Sequence, residues 1–221
     1  MDQLVEQFFN ISIMMQAWPL MLRGLGMTLL LCVTIIPAGL IGGLLVAVAG
    51  NSQFRLLRWA SIVYVDFFRA IPPLVLLIFV YSALPFAGIN ISPFAAVVLA
   101  FFLNNSSFYG EIYRAGLDSV GTGQWHAARS TGLSLLQTLI YVIIPQAVRN
   151  VLPDLATNTL EVVKLTALAS VVSFAELLYS ADMARSVTYN ASPITMAAIM
   201  YLILMLPLVR IVSRMEHRVG T

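Results

Sequence analysis

Residues 26–49 read GMTLLLCVTIIPAGLIGGLLVAVA, a run without a single charge. As an α-helix it extends about 36 Å, against roughly 30 Å of bilayer hydrocarbon, so it predicts a membrane-spanning helix. The rest of the chain agrees. Hydrophobic residues make up 60% and charged residues 10% of the 221 residues, with a mean hydropathy of +0.90, where soluble domains carry about 25% charged residues. The sequence is that of an all-α polytopic membrane protein with room for about five or six spans and no large soluble domain. A formal charge of +2 gives no reason to expect a nucleic-acid partner. Cys32 stands alone, which excludes an internal disulfide; in its apolar run it reads as a small core- or lipid-facing residue. The first ten residues, MDQLVEQFFN, are acidic and lack a basic n-region, so no cleaved signal peptide is expected.

The eleven arginines and one lysine inform by their placement. Arg55 and Arg58 follow the first span and, by the positive-inside rule, belong in the cytoplasm, leaving Asp2 and Glu6 outside. A second span runs over about 59–84 and contains Asp66, Arg69 and Pro72-Pro73. A third covers about 94–113 and returns the chain to Arg114 and Arg129. The tail, with Arg210, Arg214 and Arg218, belongs inside, which an outside N-terminus permits only for an odd number of spans. Five are therefore expected, the fourth over about 153–172 and the fifth over about 194–212. On this count Leu135–Val151, interrupted by Pro145, is an interfacial helix, and 173–193 forms short helices at the outer face. No repeat or linker divides the chain, so residues 1–221 read as one membrane domain.

Residues 121–146, GTGQWHAARSTGLSLLQTLIYVIIPQ, are a polar interruption on the cytoplasmic side. Gln124 to Thr131 suit a short helix, Gly132 the left-handed residue after it, and Pro145 a break in the next helix. Trp125, Ala128 and Gly132 recur at i, i+3 and i+7, placing one large and two small residues on one face. A soluble partner could grip that face; an ordinary amphipathic interfacial helix has the same pattern. GxxxxGK[ST], HExxH and CxxC are absent, so the chain has no phosphate loop, and metallo- or thiol-enzyme chemistry is not expected of it. His126 and His217 both fall on cytoplasmic segments.

Gly123, Gln124, Trp125, His126, Ala127, Ala128 and Arg129 with Gly132, then Ile144-Pro145-Gln146-Ala147, resemble the EAA signature of the membrane subunits of bacterial ABC importers. Gly24-x-x-x-Thr28-Leu29, Tyr64 to Pro72, Glu111-x-x-Arg114-Ala115-Gly116, Leu152-Pro153, Asn158, Lys164-x-Thr166-Ala167-Leu168 and Glu176-Leu177 extend the resemblance to the polar amino acid permease family. It covers about Gly24 to Arg218. The resemblance implies the five-helix type I importer permease fold, a second permease subunit, identical or homologous, two cytoplasmic ATPase subunits carrying ATP and magnesium, and an extracytoplasmic substrate-binding protein. No cofactor is implied on this chain, which performs no bond chemistry itself. His126 stands where the family pattern has Glu, which removes a fixed negative charge from the segment.

Within the spans, ionisable and amide side chains are the candidates for function. Glu161 and Lys164, at i, i+3, read either as an ion pair that fixes helix packing or as partners for the ammonium and carboxylate of an amino acid, with Asn158 and Thr166 adding hydrogen bonds. Asn104 and Asn105 lie inside the third span, where unpaired amides are unfavourable, so at least one of them is expected to face a partner helix or the translocation path. Asp66 with Arg69 near Pro72, and Glu111 with Arg114, read as packing pairs or as an inner gate. An autonomous carrier or channel using Glu161 and Lys164, and a membrane scaffold that only docks a soluble protein, are the rival functions.

Overall fold

The computed structural model describes residues 2–219, with side chains to residue 215; those of His217 and Arg218 lie outside the described residues. Among the described residues ten α-helices run in order: α1 Asp2–Phe8, α2 Ile11–Gly50, α3 Arg55–Ala70, α4 Pro73–Ala83, α5 Pro93–Asp118, α6 Thr122–Ser130, α7 Leu135–Thr138, α8 Ile144–Leu165, α9 Leu177–Thr188 and α10 Ser192–Val219. Short 3-10 turns at Leu84–Ala87 and Thr166–Val172 and a π turn at Leu139–Ile143 complete the helical elements. No strand occurs among the described residues.

Among the described residues three helical runs are long and apolar enough to cross a membrane, Asp2–Gly50, Leu135–Val172 and Ser192–Met215, and α3 with α4 makes a fourth if the bent pair counts as one. The first expected span lies within α2, whose 40 residues extend about 60 Å. Pro19 and Pro37 sit inside this helix without ending it, as membrane helices tolerate. The expected second span is interrupted at its proline pair: α3 ends at Ala70, Ile71 is extended, and α4 starts afresh at Pro73. A proline lacks the N–H that would continue α3 and pushes the residue before it out of the helical region. The expected break at Pro145 is corrected, since the chain stays helical from Leu135 to Val172. The expected fifth span lies within α10.

The chain separates by its contacts into two compact units. One comprises the chain to Pro37, Pro72–Phe101 and Leu160–Val209. Its core joins Ala17 and Met21 of α2, Leu177, Ala181 and Ala184 of α9, and Met196, Ala197 and Met200 of α10. Gly24 lets α9 approach, because a Cβ there would collide with Ser180 and lie 2.9 Å from the Glu176 carbonyl oxygen. One helical turn on, Thr28 Oγ1 accepts the Leu177 N–H at 3.1 Å. Glu176, fully buried, caps α9 by accepting from Leu178 and Tyr179 N–H at 2.8 and 2.7 Å and takes the Tyr201 hydroxyl at 2.9 Å.

The other unit comprises Ala38–Ile71, Phe102–Thr159 and the chain from Arg210. Here α2 and α5 meet through glycines: a Cβ on Gly43 would stand 2.5 Å from Tyr109 Cβ and 2.8 Å from the Gly110 nitrogen. Tyr109 is fully buried, and its hydroxyl meets Thr159 Oγ1 of α8 at 2.8 Å. The Ser61 hydroxyl of α3 donates to the Val46 carbonyl at 2.8 Å, and Tyr64 meets Ser106 at 2.7 Å. Gly43→Leu forces α2 from α5 and should cost about 1–3 kcal/mol. A fall in the melting temperature of the purified transporter, absent in Gly26→Leu where the space is open, checks it.

Candidate functional site

The segment between α5 and α8 is built from local signals. Gly121 precedes α6, and after Thr131 the chain reverses at Gly132, whose φ of +88° costs an L side chain strain. Its N–H bonds the Arg129 carbonyl at 3.1 Å, and Arg129 Nη1 reaches the Leu133 carbonyl at 2.6 Å. Helix α7 then opens with a capping box: Ser134 Oγ accepts the Gln137 N–H, and Gln137 Oε1 accepts the Ser134 N–H. The S-x-x-Q spacing was legible in the sequence.

Of the three residues on the face of α6 that the sequence marks out, Trp125 and Ala128 turn toward the chain's own helices, as an amphipathic helix would, while Gly132 is exposed. Ala128 is buried, and Trp125 packs on a cluster of Val120, Ile143 and Ala147. The i, i+3 pattern selected the docking face because apolar bulk next to a small residue suits packing against the chain's own helices. Gly123, Gln124, His126 and Ala127 form the exposed side, with Ser130 one turn further. Gln124 Oε1 accepts from Gln146 Nε2 at 3.4 Å, so the helix is also held by an amide contact.

Glu161 and Lys164 of α8 do pair: Nζ to Oε1 is 2.7 Å. Both are more than half exposed on this chain, 55% and 57%. The other proposed members of that group point elsewhere. Thr166 is fully buried, its hydroxyl donating to the Val163 carbonyl at 2.7 Å, and it lies beside Tyr201 in the Glu176 cluster. Burial is the main influence on the Glu176 carboxyl and raises its pKa, while its four hydrogen-bond donors, Thr28 among them, oppose that rise. Asn158, with a buried Nδ2, lies beside the Tyr109 hydroxyl.

Asn104 is buried and donates to the Phe68 carbonyl of α3 at 3.0 Å, while Asn105 is buried against Gly39 of α2. Both face partner helices. The expected Asp66–Arg69 pair is not among the ion pairs of the described residues; Arg69 instead approaches Glu111 at 3.8 Å and lies over the Phe108 ring at 5.3 Å. Glu111 and Arg114 pair through two hydrogen bonds, at 2.6 and 2.9 Å, and Arg114 also holds Asp118 at 2.6 Å. Asp118 was missed in the sequence, although it stands four residues from Arg114, the spacing of a helical ion pair. Pro72 caps the start of α4, accepting the Leu76 N–H at 3.1 Å. Among the described residues no three His, Cys, Asp or Glu side chains are grouped to hold a metal ion.

Residues 36–221 match the family described as binding-protein-dependent transport system inner membrane component. The chain is 38% identical over 176 residues to the probable amino-acid ABC transporter permease protein YckA of Bacillus subtilis, covering 80% of this chain and 78% of that protein. To the probable glutamine ABC transporter permease protein GlnM of the same organism it is 35% identical over 210 residues, covering 95% and 97%. Among solved structures, an amino acid ABC transporter crystallised with histidines superposes with a TM-score of 0.88 at 36% identity, covering 93% of this chain and 96% of that one. The chain therefore belongs to the binding-protein-dependent inner membrane component family, as a multi-pass inner-membrane permease subunit of an ABC transporter, a transport subunit and not an enzyme.

Proposed function

We propose that this permease subunit forms, with a second identical or homologous permease subunit, an alternating-access path that imports a polar amino acid or a similar solute. The relatives named for amino acids and glutamine, matched over most of their length, carry this reading. The path has five spans per subunit, with the N-terminus outside and the C-terminus in the cytoplasm. Helix α5 is counted as the third span because its 26 residues reach about 39 Å, and its amides and charges are satisfied by neighbouring side chains and carbonyls. Two ATPase subunits, holding ATP and magnesium, act on α6 from the cytoplasm, and an extracytoplasmic binding protein delivers the solute.

Within this arrangement the exposed side of α6, from Gly123 through Gln124, His126 and Ala127, meets the ATPase, and Trp125 and Ala128 anchor the helix to its own chain. Lys164 and Glu161 offer an ammonium and a carboxylate on a helix apolar enough to enter a membrane, matching the two ends of a zwitterion. The linked charges of Arg69, Glu111, Arg114 and Asp118 sit where an inner gate or its packing is required, though exposed ion pairs of this kind contribute only about 0–1 kcal/mol each. The autonomous carrier weighed from Glu161 and Lys164 has no support among the relatives.

In proteoliposomes holding the full transporter, Lys164→Ala should lower uptake and substrate-stimulated ATP hydrolysis by about tenfold or more, with the complex still assembled. Loss of assembly instead would assign Lys164 to packing, and uptake by this chain without the ATPase would refute the importer reading. Trp125→Ala, which empties the seat of α6, should cost about 3 kcal/mol or more at that site and expose residues 122–130 to protease. His126→Ala should leave the protease pattern unchanged.

A further inference from the structure

Between α7 and α8 the helix widens into the π turn Leu139–Ile143. A π turn holds one residue more than the α-helical spacing around it and breaks the regular hydrogen-bond ladder, so it bends and slips more easily than either flank. Pro145 follows at the start of α8, where it gives no N–H to the turn before it. On either side of the turn the ladder is regular: α7 opens with its capping box, and α8 continues to Leu165. Thr138, next to the turn, is fully buried, and its Oγ1 has no hydrogen-bond partner among the described residues.

Helix α6 rests on this turn. Trp125 packs on the cluster containing Ile143, the last residue of the turn, with Leu139 and Val142 beside it. Gln146 ties the three elements together, because its Nε2 donates to the Val142 carbonyl at 2.8 Å and to Gln124 Oε1 at 3.4 Å. Displacement of α6 therefore bears on this wide turn and on the first turn of α8, at Gln146 and Ala147, together. We propose that the π turn Leu139–Ile143 is the joint through which movement of α6 reaches α8, with Gln146 as the positioning residue that fixes α6 to it. This deepens the importer reading and rests on it. It locates the compliance within the permease and explains why a polar amide stands at position 146 beside Ile143 and Ala147.

The test uses the complete transporter in proteoliposomes and measures solute imported per ATP hydrolysed. Deleting Tyr141, an exposed residue of the turn, together with Pro145→Ala removes the extra residue and restores a plain α-helix with both flanks in phase. Solute per ATP should fall by at least about fivefold, while the assembled complex still hydrolyses ATP. Gln146→Ala should lower the same ratio by about twofold to tenfold, and adding Gln124→Ala should lower it little further, because both act through one contact. An unchanged ratio in the assembled deletion variant overturns the proposal. If that variant does not assemble, Gln146→Ala decides: a lowered ratio supports the joint and an unchanged one overturns it. Absence of ATP-driven import by the unaltered complex counts against the importer reading itself.

Discussion

Hydrocarbon offers no hydrogen bonds, and this constraint governs the chain more than any single contact. Every backbone amide at membrane depth must find its partner inside the protein, which leaves helices as the solution for a chain of this composition. Side chains obey the same rule. The Asn104 amide donates to the Phe68 carbonyl, the Ser61 hydroxyl to the Val46 carbonyl, and Tyr64 meets Ser106. Each bond joins two helices, so satisfying a polar group and fixing a helix pair are one event. The buried Glu176 is the extreme case: a carboxyl in the core is tolerated because two backbone N–H groups and a tyrosine hydroxyl reach it.

Glycines do the complementary work of bringing helices close enough for such bonds. Gly24 admits the start of α9 to α2, where Thr28 receives the Leu177 N–H. Gly43 faces Gly110, and Gly116 leaves space that Val151 and the Ala147 carbonyl occupy. Packing of this kind replaces the hydrophobic drive that a soluble protein uses, since lipid tails solvate apolar side chains as readily as other helices do.

Much of this architecture was legible in the chain. Uncharged runs marked helices, and the family resemblance named residues whose contacts now have reasons: Gly24, Thr28, Thr166 and Glu176 converge on one cluster from distant stretches of sequence. What sequence could not show was direction. Trp125 and Ala128 share a face whichever way the helix is turned, and only the cluster around Ile143 decides that they point inward. Arg69 has carboxylates on its own helix and on α5, and helical spacing alone favoured Asp66 over Glu111. Pro72 and Pro145 carry the same covalent constraint, yet Pro72 stands at a true break and Pro145 beside a widened turn. Neighbouring geometry, invisible in a linear reading, makes that difference.

Of the most apolar windows in the three long helical runs, only 33%, 22% and 17% is buried within the chain. The greater part of the apolar surface is therefore addressed to molecules other than this one. Removing lipid or partner subunits changes the reference against which the folded chain is stable, because whatever binds the folded form alone raises its apparent stability by mass action. A denaturation midpoint recorded for the solubilised subunit is consequently a property of the surrounding amphiphile and its concentration as much as of the sequence. Detergent identity enters such an experiment as a thermodynamic variable, alongside temperature and pH.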